Sequence, residues 1–106
     1  MSDTVGPIFA ALADPTRRSV VEALLRDGTT SVPALTAALP ISRQAIAKHL
    51  AMLDEAGLVE RAPAAGREVN YRLRDGGLDP AAAWMHATEV AWDDRLARLK
   101  RAVEAP

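Results

Sequence analysis

The stretch from Ser42 to Lys48 combines side-chain types that contact DNA with a spacing that places them on one side of a helix. With successive residues about 100° apart around a helix, three apolar side chains cluster on the inner side: Ile46, Leu50 and Leu53. The other side carries polar and small residues: Arg43, Gln44, Ala45, Ala47 and Lys48. Arginine pairs with guanine edges and glutamine with adenine, while alanine lets the backbone approach the bases. The pattern predicts a DNA-reading helix over 42–56, with an ordinary solvated helix face as the alternative.

A second basic group follows in a predicted β-hairpin over 58–73. Val69, Tyr71 and Leu73 alternate with polar residues, which predicts a strand with one buried and one polar face. Ala65 and Gly66 form the turn signal, and two basic residues, Arg61 and Arg67, flank this turn. Beside a DNA-reading helix, these two arginines are expected to contact phosphates.

The last helix carries a partial set of metal-ligand types. His86 and Glu89 have an i, i+3 spacing, and Asp93 lies about one turn further. A closed zinc site needs about four protein ligands, yet no second histidine follows and the chain has no cysteine. No metal and no cofactor are therefore predicted, although a metal-responsive repressor using His86 and Glu89 stays an alternative.

Catalytic motifs find little support in the sequence. Ser42 and His49 lie two turns apart on one predicted helix, about 10 Å along its axis, which is too far for a nucleophile and its base. Gly76 and Gly77 follow a strand but lack the rest of a phosphate-binding motif. The prediction is that the protein is not an enzyme. RNA binding is disfavoured because Tyr71 is the one aromatic candidate for base stacking.

The composition is that of one globular domain spanning 1–106. Hydrophobic residues make up 49% and charged residues 25%, with a net charge of −1. Between 42 and 74, however, six basic residues face four acidic ones, so a mild positive excess lies in the middle of the chain. The absence of cysteine, of a basic leader and of any apolar run near the roughly 18 residues of a membrane span predicts a cytoplasmic protein without membrane contact.

Three further helices precede the DNA-reading helix. Apolar residues at helical spacing predict the first over 5–13, and Asp14 followed by Pro15 predicts an N-cap and the start of the second. The second helix is expected to turn Leu24 and Leu25 inward and to end near Gly28. Ser31 caps a short third helix that Pro40 ends, Ser42 caps the fourth, and Gly57 is expected as a left-handed C-terminal cap. A last helix spans 80–103.

Three segments of the chain resemble the ArsR-type winged helix-turn-helix repressors, in the subgroup without obvious metal-binding residues. The segments are Ala11–Arg18, Ser42–Leu50 and Leu53–Val59, in the same order as in that family. The resemblance implies a mainly α fold with about five helices and a two-stranded wing. It also implies a homodimeric repressor that binds double-stranded operator DNA with the 42–56 helix in the major groove. The predicted DNA-binding set is Ser31, Ser42, Arg43, Gln44, Ala45, Ala47, Lys48, Arg61 and Arg67.

Two helices carry the expected dimer interface. Large apolar side chains along the last helix would form an exposed aromatic patch in a monomer, and such patches mark interfaces. The predicted interface comprises Val5, Ile8, Phe9, Leu12, Trp84, Met85, Thr88, Trp92, Leu96 and Leu99. Arg95 falls inside this stripe, where it pairs with a carboxylate, stacks on a tryptophan or buries only its stem. A winged-helix module that binds protein rather than DNA remains the competing function; an effector is not identifiable.

Overall fold

The structure, a computed structural model, describes residues 3–63 and 66–104. Within these residues the chain forms five helices: α1 (Val5–Leu12), α2 (Pro15–Asp27), α3 (Val32–Ala38), α4 (Arg43–Glu55) and α5 (Asp79–Glu104). Three short strands accompany them: β1 (Thr29–Ser31), β2 (Val59–Ala62) and β3 (Asn70–Leu73). The predicted mainly α architecture with a small hairpin is confirmed.

Side-chain caps begin three of the helices. Asp14 accepts a hydrogen bond from the backbone N–H of Arg17 at 2.9 Å. The hydroxyls of Ser31 and Ser42 accept from the N–H groups three residues further on, each at 3.2 Å. Each such cap stabilises its helix by about 1 kcal/mol because it satisfies an N–H that the helix leaves unpaired. Gly57 adopts a φ of 79° just beyond α4, as the left-handed cap requires.

The sheet has three antiparallel strands in the order β1–β3–β2. β2 and β3 form the predicted hairpin, with Arg61 opposite Tyr71, while β1 pairs with the other edge of β3 and places Thr30 opposite Tyr71. The sequence predicts two strands, and β1 is the addition. The prediction also fails at Val69. β3 begins at Asn70, one residue after Val69, and Val69 is 45% exposed instead of buried. Ala65, at the predicted turn, lies outside the described residues.

One apolar core joins α1–α4 and the sheet. Its largest fully buried side chains come from α1, α2, α3, α4 and β2: Ile8, Val20, Leu24, Leu35, Ile46, Leu50, Leu53 and Val59. Tyr71 and Leu73 of β3 pack against this cluster from the sheet. The sequence predicts Leu25 on the inner side of α2, but the residue is exposed because it lies on the outer side of that helix. The core therefore holds α4 by the three side chains that its periodicity predicts.

The last helix extends well beyond the core. α5 has 26 residues, which makes it about 39 Å long, and the molecule measures 72 × 29 × 25 Å. Ala81, near its start, is the buried residue of α5 in the described chain. Among the helices of the described chain, including α5, none is long and apolar enough to cross a membrane.

Candidate nucleic-acid interface

The position of α4 is set by its buried side. Ile46, Leu50 and Leu53 are each at most 1% exposed, and α4 packs against α2, α3 and β2. Burial of such side chains stabilises the fold by about 1.5–3 kcal/mol each. The helix therefore cannot rotate about its axis without exposing its core side, and its outer side is held in one orientation.

The outer side of α4 carries the polar residues that the sequence singles out. Arg43, Gln44, Ala47 and Lys48 are exposed, and Ala45 is half-buried at the boundary. None of the ion pairs between described residues involves Arg43 or Lys48. The first two turns of α4 thus present an arginine, a glutamine and a lysine to solvent, separated by small residues that allow a close approach.

Ser31 does not share this surface. The residue is 4% exposed, it lies in β1, and its hydroxyl accepts the N–H of Ala34. Its capping role is as predicted, but a buried hydroxyl is not available to DNA. The structure therefore removes Ser31 from the predicted DNA-binding set. Ser42 also caps its helix, yet it is exposed beside Arg43.

The hairpin divides its arginines into two groups. Glu60 on β2 lies 3.0 Å from the guanidinium of Arg72 and 3.6 Å from that of Arg74. Arg61 and Arg67 are exposed and take part in none of the ion pairs between described residues. Glu60 thus offsets one of the two positive charges of Arg72 and Arg74, and Arg61 and Arg67 are the hairpin arginines that it does not pair.

Asp14 connects the start of α2 to the middle of α4. Its carboxylate Oδ2 lies 4.0 Å from Nδ1 of His49, a nitrogen that is buried and has no hydrogen-bond partner within the described structure. The backbone N–H of Arg17, with a smaller contribution from the charges of Arg17 and His49, holds the pKa of Asp14 below its ordinary value of 3.8. This placement favours a structural role for His49, facing α2.

Two consecutive arginines, Arg17 and Arg18, connect the start of α2 to the end of α1. Nε of Arg17 donates to the backbone carbonyl of Ala11 at 2.7 Å, and Nη1 lies 3.3 Å from Sδ of Met52 on α4. Arg18 donates to the carbonyls of Leu12 and Ala13. Carbonyls at a helix end lack partners within the helix, so a pair of arginines in the first turn of the next helix, after its Asp-Pro start, is the sequence signal for this contact.

An aromatic surface runs along α5 beside α1. Phe9 and Trp84 meet edge to face with ring centroids 5.7 Å apart, and both remain partly exposed. Trp92 is 55% exposed, and the guanidinium of Arg95 lies 5.4 Å from the centre of its ring. Of the three roles open to Arg95, the structure thus shows stacking on a tryptophan. The predicted interface loses Ile8, which is 2% exposed and belongs to the core of its own chain.

The three metal-ligand types of α5 lie on the solvent side of the helix. His86, Glu89 and Asp93 are all exposed. Across residues 3–63 and 66–104, no group of three or more histidine, aspartate or glutamate side chains could hold a metal ion.

Comparison with known proteins agrees with this geometry. The helix-turn-helix domain family matches residues 12–62. The HTH-type transcriptional regulator Rv2034 of Mycobacterium tuberculosis is 47% identical over 70 residues, which are 66% of this chain and 64% of that protein. The arsenic resistance regulator ArsR1 of Pseudomonas putida is 43% identical over 67 residues, 62% of this chain and 51% of that protein.

A solved structure matches nearly the whole chain. The ArsR-like transcriptional regulator from Rhodococcus sp. RHA1 is 40% identical with a TM-score of 0.84, and the match covers 97% of this chain and 95% of that one. The chain belongs to the ArsR-like family of transcriptional regulators. The predicted family and fold of this ArsR-like regulator are confirmed. The matches span between half and two thirds of the length of the two curated relatives.

Proposed function

We propose that this chain is a homodimeric repressor that binds double-stranded operator DNA, with α4 in the major groove. The observation that carries the proposal is the two-sided character of α4: three buried side chains fix its orientation while Arg43, Gln44 and Lys48 project from its first two turns. An α-helix fits the major groove, and residues near its N-terminus meet base edges. A protein with these properties acts where the DNA is, in the cytoplasm.

Within this interface, the residues have different roles. Arg43 and Gln44 contact base edges, and Ala45 and Ala47 allow close approach and contact thymine methyls. Lys48 and the N-terminus of α4 beside Ser42 attract phosphates. Arg61 and Arg67 lie on either side of the wing turn and are the two hairpin arginines that Glu60 does not pair. Both contact the sugar-phosphate backbone of the DNA. Phosphate contacts position the protein, and base contacts select the sequence.

The second chain of the dimer packs on α1 and α5. With Ile8 buried in the core of its own chain, the proposed contact residues are Val5, Phe9, Leu12, Trp84, Met85, Thr88, Trp92, Leu96 and Leu99. A contiguous exposed surface that contains two tryptophans is typical of an interface rather than of a free surface. A two-fold dimer presents its two α4 helices on one side of the duplex, so the half-sites lie about one helical turn apart, or a multiple of it.

Selection of bound fragments from random double-stranded DNA tests the function directly. The expected result is enrichment of a pseudo-palindromic sequence, because the protein symmetry is repeated in its site. In the Gln44→Ala variant, the enriched sequence should lose its preference at one position of each half-site. If the wild-type chain retains no DNA even at low salt, the proposal fails and a winged-helix module that binds protein is favoured.

A further inference from the structure

The first turn of α2 connects a helix of the proposed dimer interface, α1, with the proposed reading helix, α4. α1 packs against α2 and α5, and α4 packs against α2, α3 and β2. α1 and α4 face each other across a cleft of about 360 Å³, lined by Pro7 and Ala10 from α1 and by Met52 and Glu55 from α4. Contacts made through α2 therefore largely determine how α1 and α4 lie relative to each other.

Arg17 lines the same cleft and contacts both of the helices that form it. Its Nε donates to the carbonyl of Ala11 at 2.7 Å and its Nη2 to that of Ala10 at 3.3 Å, both near the end of α1. Its Nη1 lies 3.3 Å from Sδ of Met52 on α4. The nitrogens of a guanidinium have fixed relative positions, so one planar group relates the position of α1 to that of α4.

The backbone of Arg17 is itself held in place. Its N–H donates to the carboxylate of Asp14 at 2.9 Å, and that carboxylate lies 4.0 Å from Nδ1 of His49 on α4. His49 and Met52 are three residues apart, so they lie on neighbouring turns of one side of α4. The start of α2 thus contacts α4 at two points about one turn apart, an arrangement that opposes tilting of α4.

The neighbouring Arg18 differs from Arg17 in one respect. Its Nη1 donates to the carbonyls of Leu12 and Ala13 at 2.7 and 3.0 Å, so Arg18 also fastens the end of α1 to α2. Both of these acceptors lie at the end of α1, and neither belongs to α4. The two arginines therefore share their charge and their contact with the end of α1, while Arg17 alone of the two adds a contact with α4.

We propose that Arg17 is a positioning residue for DNA reading, which couples α1 to α4 and so sets the orientation in which α4 meets the major groove. The inference rests on the proposed DNA-binding function. A shift of α1 within the dimer moves α4 through Arg17, because its guanidinium holds two carbonyls of α1 and the sulfur of Met52 together. In this role Arg17 acts through α4 and does not contact DNA.

Arg17→Lys tests the coupling without changing the charge. A lysine ammonium has one nitrogen in place of the three that reach acceptors on two helices. Fluorescence anisotropy on the duplex enriched by the fragment selection should show a Kd about tenfold higher, within the range of couplings that single side chains carry. Arg18→Lys, the matched control, should bind that duplex like the wild-type chain. Sedimentation should give the wild-type dimer Kd for both variants, so that the loss is not one of dimerisation.

A direct phosphate contact by Arg17 would give a different pattern. Lysine would then retain most of the affinity, and Arg17→Gln would lower the salt slope by about 0.9 for each copy. For a positioning residue, Arg17→Gln should raise the Kd as Arg17→Lys does and leave the salt slope equal to that of Arg18→Gln. A lower slope in Arg17→Gln than in Arg18→Gln would overturn the proposal.

A double-mutant cycle with Met52 tests the route to α4. Met52→Leu keeps the apolar volume but removes the sulfur acceptor, and Met52 is 39% exposed, so the change should not unfold the chain. Its loss of DNA affinity and that of Arg17→Lys should not add, because both changes break the same contact. Additive losses, or wild-type affinity in both single variants, would refute the coupling alone. A wild-type chain that enriches no duplex in the selection would instead refute the proposed DNA-binding function.

Discussion

Base reading and backbone anchoring by this chain should be separable with two single substitutions, Gln44→Ala and Arg67→Ala. Both residues are exposed, and alanine has a higher helix propensity than glutamine, so neither change should lower the free energy of unfolding by a measurable amount. Any effect on DNA binding then reports the contact itself. Arg101→Ala on the outer side of α5 removes the same charge as Arg67→Ala and serves as the matched control.

The expected magnitudes differ in kind. Loss of a bidentate base contact costs about 1–3 kcal/mol for each copy, hence about 2–6 kcal/mol in a dimer with two copies of Gln44, and it relaxes preference at one position of each half-site. Loss of a phosphate contact lowers the salt slope by about 0.9, hence by about two in a dimer with two copies of Arg67. Between about 50 and 200 mM salt, the Arg67→Ala variant should therefore lose about tenfold less affinity than the wild-type chain does.

Fluorescence anisotropy on cognate and scrambled duplexes at several salt concentrations measures both quantities. Gln44→Ala should reduce the ratio of the affinities for the cognate and scrambled duplexes without changing the salt slope. Arg67→Ala should lower the salt slope without changing that ratio. If Gln44→Ala weakens binding equally to both duplexes while Arg67→Ala alters sequence preference, the assigned roles are exchanged. If neither variant differs from Arg101→Ala, α4 is not the reading element.

Three other predictions concern the interface, the metal-ligand residues and the start of α2. Trp92→Asp should give monomers in sedimentation experiments and abolish DNA binding, whereas Val90→Asp on the outer side of α5 should remain dimeric. Zinc, copper or arsenite added to the DNA complex should leave its affinity unchanged; stoichiometric release that is lost in His86→Ala would contradict this. Because the folded-state pKa of Asp14 is lowered from 3.8, its carboxylate stabilises the fold above that pH and ceases to do so as the pH falls through the lower folded value. Urea unfolding should therefore show wild type more stable than Asp14→Asn at neutral pH, with the difference vanishing in acid.

Local signals explain which parts of the fold are predictable from the sequence. A cap requires one side chain and the N–H three residues later, so the start of a helix is predictable from four consecutive residues. Asp14, Ser31 and Ser42 predict the starts of their helices in this way. Helical periodicity likewise identifies Ile46, Leu50 and Leu53 as the buried side of α4, because all three lie on one helix.

Contacts between distant segments explain the errors. β1 has three residues, too few to show an alternating pattern, and it forms because β3 offers a free edge about forty residues later in the chain. Val69 continues the alternation of β3, but the paired segment starts only at Asn70, so its side chain stays in solvent. Ile8 fits the apolar stripe of α1 equally well as an interface or a core residue, and only the packing of α1 against the rest of the chain decides for the core.

The functional surface shows the same division between local and distant information. A count of charged residues between 42 and 74 gives a small positive excess but does not show which basic side chains are available to DNA. The β2–β3 register decides this, because it places Glu60 opposite Arg72 and within 3.6 Å of Arg74. Glu60 therefore offsets one of the two charges of Arg72 and Arg74 on the body of the hairpin, while Arg61 and Arg67 beside the turn take no part in this pairing. If the pairing of Glu60 with Arg72 and Arg74 limits the positive charge of the wing, Glu60→Gln should strengthen DNA binding. Sequence preference should not change, because the two arginines would meet only phosphates.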